Sequence, residues 1–317
     1  MPATRKESRA PGRTFSISLP ATSANLGPAF DCAALAFGLF LKVEAQVASD
    51  CSVLARGRDA DICGKVENHL ILNTYREIFE AEGRPVVPLS MRLSNEIPIG
   101  KGCGSSAAAR LAGIALAVHF GRLSWTDARI IAEASRREHH PDNAAACWKG
   151  GVAVAKMNEA AETLVVKILP KGKWPLLLAI PDKPLSTEEA RRVLPLQYSR
   201  KDVVTNLQNS MLLLAGLVAG RSSIVAAALD DRIHQPYRAP LCPLLPTLQK
   251  LSGHPGVLGA VLSGAGPSVL IFGDPGISGA RLKKLVAKHL RSQALEAELI
   301  TTSICDRGAS NTIVVKR

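Results

Sequence analysis

The stretch that most restricts how this chain can fold runs Pro98-Ile99-Gly100-Lys101-Gly102-Cys103-Gly104-Ser105-Ser106-Ala107-Ala108. Three glycines stand at alternate positions, two serines follow, and an apolar run continues to Phe120. Glycine this dense contributes little to a core, but it lets the backbone take positive φ and lets another group approach the main chain closely. The run Ala107–Phe120 is apolar on nearly every face and predicts a buried helix. A helix start presents unpaired N–H groups and the positive end of the helix dipole, so a glycine loop opening onto one is an anion site. Ser105 and Ser106 add hydroxyls, and Lys101 adds a positive charge. The spacing fits neither the Gly-x4-Gly-Lys-Ser/Thr loop nor Gly-x-Gly-x-x-Gly. A plain glycine turn before a buried helix is the competing reading.

A second glycine turn, "LSGAGPS" over Leu262–Ser268, lies between two strand-like runs and reads either as a hairpin turn or as a second wall of the same site. Four polar segments add candidates. "PATSANLGPAFD", Pro20–Asp31, offers Asn25 and Asp31 for a polar small molecule; Asp31 also suits a helix N-cap. "HHPDNAAACWKGG", His139–Gly151, brings together His140, Asp142 and Asn143, with Glu133 and Glu138 upstream as oxygen ligands for Mg²⁺. "STEEARRVLP" and "DRIHQPYR" carry Thr187, Arg191 and Arg238, and an arginine fork matches a carboxylate.

The chain has 317 residues, beyond the size at which one core keeps growing, so two domains are expected. Helices are predicted over His69–Glu82, Thr126–Arg137, Ala144–Trp148, Asp202–Ala219, Arg221–Leu229 and Ala280–Arg291. Strands are predicted over Phe15–Leu19, Leu41–Val47, Pro88–Leu93, Val152–Lys156, Leu164–Leu169, Leu176–Ile180, Val257–Ser263, Ser268–Phe272, Glu298–Ile304 and Gly308–Val315. Their irregular order indicates an α+β fold, with a break near "PKGKWP", Pro170–Pro175. Residues 1–14 are expected as a disordered basic tail, 15–170 as an N-terminal domain and 171–317 as a C-terminal one.

The net charge of +12 suits an anionic substrate, but the basic clusters are not interleaved with aromatics, so no nucleic-acid partner is expected. Seven scattered cysteines with no Cys-x-x-Cys imply reduced thiols and a cytoplasmic location. Apolar runs such as Met211–Ala219 are far shorter than the ~20 residues of a membrane span.

Taken in order, these motifs resemble the GHMP kinases. The Pro98–Ala108 loop is similar to that superfamily's ATP motif, and "LSGAGPS" to its last motif. Within it, "PATSANLGPAFD", "HPDN", "STEEARRVLP" and "HQPYR" resemble the homoserine kinase family. The resemblance implies a domain similar to ribosomal protein S5 domain 2, followed by a ferredoxin-like domain. It implies phosphoryl transfer from ATP with Mg²⁺ to L-homoserine, in a possible homodimer. By position, Asn25, Asp31, His140, Asn143, Thr187, Arg191, Arg238 and Gly264 would bind the amino acid, Asp31 through its ammonium and the two arginines through its carboxylate. The loop would cradle the triphosphate; Ser106 with Glu138 or Glu133 would hold Mg²⁺; Asn143, Ser105 and Ser106 would serve the transfer, without a dedicated general base. Three departures stand out: Cys103 replaces a leucine, and Ala29 and His139 replace glycines. A kinase of another small alcohol, and a non-catalytic nucleotide-binding protein, remain open alternatives.

Overall fold

The structure is a computed structural model, and it describes residues 14–316. Its elements run β1 (Thr14–Asn25), β2 (Ala29–Val47), β3 (Ser52–Gly57), α1 (Ala60–Cys63), α2 (Leu70–Ala81), β4 (Leu89–Asn95), α3 (Ser105–Phe120), α4 (Asp127–Glu138), α5 (Asp142–Lys149), β5 (Val152–Met157), β6 (Thr163–Ile168) and β7 (Pro175–Ile180). The chain continues through α6 (Thr187–Arg192), α7 (Arg200–Ala219), α8 (Ser222–Ala227), α9 (Gln235–Arg238), α10 (Leu244–Gln249), β8 (Val257–Leu262), β9 (Val269–Gly273), α11 (Gly279–Ser292), β10 (Glu298–Ser303) and β11 (Val314–Lys316).

Two sheets organise the chain. The first has seven strands, ordered β11-β1-β2-β4-β3, with β5 and β6 branching from β2. Only the β3–β4 pair is parallel. The second is antiparallel with order β10-β7-β9-β8. Counted within this unit that is 4-1-3-2, the order of a split βαβ, ferredoxin-like domain.

β1 alternates at its start, burying Phe15, Ile17 and Leu19, and is buried throughout after Pro20. Pro20 donates no ladder bond, and the β1–β2 register shifts between Pro20 and Ala21. Pro20–Asn25, beyond the strand predicted over Phe15–Leu19, is therefore strand as well, and the turn into β2 is only three residues. Asn25, Leu26 and Gly27 all take positive φ there, as does Asp31 within β2. Asp31 is thus a strand residue and caps no helix. The first half of β2, "AFDCAALAFG", carries alanines that favour strands weakly. Pairing with β1 on one side and β5 on the other holds it extended.

Helix α3 is buried along most of its length. Gly113 lets α2 come close: a Cβ there would stand 2.5 Å from the Ile71 carbonyl. Side chains from β1, β2, β4, α2, α3 and α5 form one core, which continues through Leu176 and Leu178 of β7 onto α7. Leu177 and Ala179, on the opposite face of β7, pack with α10 and α11 in a second core.

Two boundaries differ from expectation. Residues 1–13 lie outside the described residues, whereas Thr14 is no tail residue: it opens β1 and pairs with Lys316. The end of the chain leaves the second sheet: Gly308–Val315, expected as a strand, is a short 3₁₀ turn at Ala309–Asn311 and then β11 at the edge of the first sheet. Thr312 Oγ1 donates to the Ser18 carbonyl (2.9 Å) and accepts from its N–H (2.9 Å).

Candidate active site

A cleft of ≈ 540 Å³ opens where the start of α3, the β1–β2 turn, the α4–α5 junction, α6, α9 and the Leu262–Ser268 turn converge. Gly100, Gly102 and Gly104 have φ of 69°, 74° and 70°. Two of them are also closed to any side chain. A Cβ on Gly102 would meet the Ser263 carbonyl at 2.1 Å, and one on Gly104 would meet Thr22 Oγ1 at 1.9 Å. The loop is therefore a bare backbone cradle at the N-terminal end of α3. Ser263, from the second glycine turn, donates through Oγ to the Gly102 carbonyl (2.7 Å), so the two glycine turns pack against each other.

Ile99, Gly100, Gly102, Cys103, Gly104, Ser105 and Ser106 line the cleft. Ala107 and Ala108 face the core instead. Lys101 turns away from where an anion would sit. Its Nζ donates to the Pro181 carbonyl (2.9 Å) and to that of Asp182, and the Leu185 N–H bonds the Gly100 carbonyl (3.2 Å). The charge expected to serve a phosphate instead ties the loop to the segment leading into α6.

The two glutamates separate clearly. Glu138 lines the cleft, accepting from Ser106 Oγ (2.7 Å) and Arg110 Nε (2.6 Å). Glu133 is bound by Arg136 and Arg137 and does not reach the cleft.

On the opposite wall, Asp31 and Arg191 form a two-pronged ion pair at 2.7 and 3.0 Å. Asn25 Oδ1 accepts from the Asp31 N–H (3.0 Å), and its Nδ2 donates to the Gly264 carbonyl (2.8 Å). Arg238 is 1% exposed, with Nε donating to the Ala190 carbonyl (2.9 Å). Burial and the nearby Arg191 push its guanidinium down to about 10, against Asp31 and Asp231. Thr187 lines the rim at the start of α6.

Between the walls stands the start of α5. Asp142 accepts from the Asn143 N–H (2.6 Å) and lies 2.6 Å from His140 Nδ1. Burial disfavours the His140 imidazolium, but the Asp142 bond and the charges of Asp142, Asp31 and Glu138 outweigh it and hold its pKa above the ordinary value. Thr22 Oγ1 donates to Asn143 Oδ1 (2.6 Å), which leaves the Asn143 amide N–H₂ for the cleft.

Sequence reasoning placed most of these side chains but missed three. Thr22 was hidden inside a motif read for Asn25 and Asp31. Phe30, which lines the cleft beside Arg238, and His234, buried behind it, lie within motifs noted for their charged members. It also missed the part of the cleft lined by Ile62, Cys63, Asn68, Ile71 and Ile97, with Lys65, Glu67 and His69 beside them. Asn68, left-handed at φ 54° just before α2, was the available signal. Among the described residues no helix is long and apolar enough to cross a membrane.

The chain also matches known proteins. Residues 69–151 match the family described as GHMP kinases N terminal domain, and residues 213–291 match GHMP kinases C terminal. The homoserine kinase of Solibacter usitatus is 40% identical over 295 residues, covering 93% of this chain and 96% of that one. The homoserine kinase of a Synechocystis species is 35% identical over 303 residues, covering 94% and 98%. The crystal structure of homoserine kinase from Cytophaga hutchinsonii superposes with a TM-score of 0.79 at 22% identity, over 99% of this chain and 100% of that one, a likeness of fold. Two matched domains and near-complete coverage by such relatives settle the kinship: this chain belongs to the homoserine kinase family of the GHMP kinases.

Proposed function

We propose that this chain transfers the γ-phosphoryl group of ATP to the hydroxyl of L-homoserine, giving O-phospho-L-homoserine and ADP, a step towards threonine. The observation that carries the reading is the shared cleft. An aspartate and two arginines, counter-charges for an amino acid's ammonium and carboxylate, face a glycine cradle at a helix start.

The cradle and the first turn of α3 hold the phosphates through main-chain N–H groups. The part of the cleft lined by Ile62, Cys63, Asn68 and Ile71 receives the base. Asp31 takes the ammonium, and Arg191 and Arg238 the carboxylate. The Asp31–Arg191 pair is therefore exchanged for substrate contacts, so each charge keeps a partner. Asn143 directs its amide donors at the reacting groups and His140 lines the same pocket. Ser106 Oγ and Glu138 form an oxygen donor set that fits Mg²⁺. Bound there, Mg²⁺ neutralises charge on the phosphates. The transfer has a charge-spread transition state, so placement and oriented dipoles supply most of the rate. The hydroxyl proton leaves late, to a phosphate oxygen, without a dedicated protein base. We place the reaction in the cytoplasm, in keeping with seven unpaired cysteines. We also assign residues 14–170 and 171–303 to the two domains, with the chain beyond them returned to the first.

The test is ADP release with Mg·ATP over L-homoserine, D-homoserine, L-serine, L-threonine, shikimate and mevalonate, for wild type, Asp31→Ala and Arg238→Ala. The expected result is selective turnover of L-homoserine, lost in both variants mainly through KM, by about tenfold or more. Turnover of shikimate or mevalonate instead would sink the substrate assignment and leave the phosphate cradle standing.

A further inference from the structure

Arg238 has a buried partner to which the reaction scheme gives no task. His234 is 0% exposed, and its Nε2 lies 2.8 Å from the Gly27 carbonyl. A carbonyl only accepts, so Nε2 carries the proton and Nδ1 of the neutral ring is left as an acceptor. Burial keeps the ring neutral, with its pKa held low. Nδ1 faces Arg238 Nη1 at 3.1 Å. With Nε on the Ala190 carbonyl and Nη1 also 3.5 Å from the Gly264 carbonyl, one edge of the guanidinium is anchored. Nη2 has no hydrogen-bond partner among the described residues, and Arg238 lines the cleft. Phe30 backs the arrangement. Its ring stacks on His234 (5.2 Å between centroids) and lies 5.3 Å from the Arg238 guanidinium and 5.5 Å from that of Arg191.

We propose that His234 is a positioning residue for substrate selection: a neutral imidazole, locked by Gly27, whose Nδ1 aims the Arg238 guanidinium at the carboxylate of the amino-acid substrate. The proposal rests on the reading of Arg238 as a carboxylate ligand. Arginine carries many rotamers, and an unanchored fork must be ordered each time substrate binds, which weakens binding without touching the nucleotide. The effect belongs in the KM for L-homoserine and not in the KM for Mg·ATP.

Two substitutions separate the two ring nitrogens. His234→Asn places an amide oxygen near the position of Nδ1 and keeps the acceptor for Arg238. His234→Gln reaches the position of Nε2, keeping the Gly27 link and dropping the Arg238 one. The expected result is that His234→Gln raises the KM for L-homoserine about tenfold, while His234→Asn stays within about threefold of wild type and both keep the KM for ATP within about twofold. Thermal melts of both variants identify any loss due to unfolding. Equal KM values for the Asn and Gln variants, or parallel changes for homoserine and ATP, overturn the proposal. If those hold while Arg238→Ala still raises the homoserine KM, the carboxylate reading stands and only the role of His234 falls. An Arg238→Ala variant with an unchanged KM removes the reading and the proposal together.

Discussion

At the scale of single residues, the site is a set of side chains that each hold another in place. Thr22 is the clearest case. It is fully buried, it orients the Asn143 amide, and its hydroxyl fills the space that a side chain on Gly104 would need. It therefore registers the glycine loop against Asn143, the residue that we propose faces the substrate hydroxyl. Thr22→Val keeps the volume and removes the donor. It is expected to lower kcat by roughly tenfold to a hundredfold with little change in either KM, and Thr22→Ser to restore most of it. Asn143→Ala should lower kcat similarly without adding a new ionisation near neutrality to the pH–rate profile. A new one would mean that a protein group takes the proton after all.

At the scale of elements, the cradle and α3 were legible because glycine spacing and an unbroken apolar run are local signals. The choice between Glu133 and Glu138 was not. Both lie on α4, and five residues at 100° each put them about 140° apart around the helix. Only packing against α3 decides which one meets Ser106. Lys101 misled for a related reason: a lysine in a phosphate loop suggests a phosphate, but the loop's outer side faces a second domain that offers carbonyls. His139, which replaces an expected glycine, caps α4 in the left-handed conformation at φ 64°. An L-residue is strained there by about 1–2 kcal/mol, and glycine's greater freedom in the unfolded chain offsets part of that. His139→Gly should therefore raise stability by about 0.5–1 kcal/mol in urea unfolding. Gly104→Ala, which adds a clash with Thr22 to the same backbone strain, should abolish turnover and lower the melting temperature. Cys103, where a leucine was expected, is buried and its thiol is pushed up to about 12, so it acts as a small apolar residue beneath the loop.

Across the whole molecule, the two domains are joined by buried polar contacts as well as by apolar packing. His234 in the second domain bonds Gly27 in the first, and the groups facing it are Asp231, Arg238 and, further off, Asp31. Its folded pKa is depressed by burial to about 4, from an ordinary 6.5. Between those values the unfolded chain binds the proton that the folded chain refuses. This contribution to stability is complete above pH 6.5 and is lost as pH falls towards 4. Scanning calorimetry between pH 7.5 and 5 should show the midpoint falling, and His234→Asn should show a shallower slope. His69, also shifted down by burial, sets the slope that remains, opposed by His140, which is shifted up. An unchanged slope in the variant would place the titration elsewhere. Little of this was readable in "HQPYR": Asp231 and Arg238 are near in sequence, but Gly27 and Phe30, which bond and stack on the ring, are more than two hundred residues away.

The return of the last strand to β1 bears on the order of synthesis. α5, which presents Asn143, is backed by residues near the end of the chain: Ser310 Oγ donates to the Trp148 carbonyl (3.0 Å), and the backbones at Gly150 and Gly308 pass too close for a Cβ on either. On the ribosome, every residue that lines the cleft, as far as Gly266, is made before that backing. The first domain therefore cannot complete its sheet before β11 has been made, and α5 lacks this backing until Gly308 and Ser310 follow the second sheet out of the ribosome.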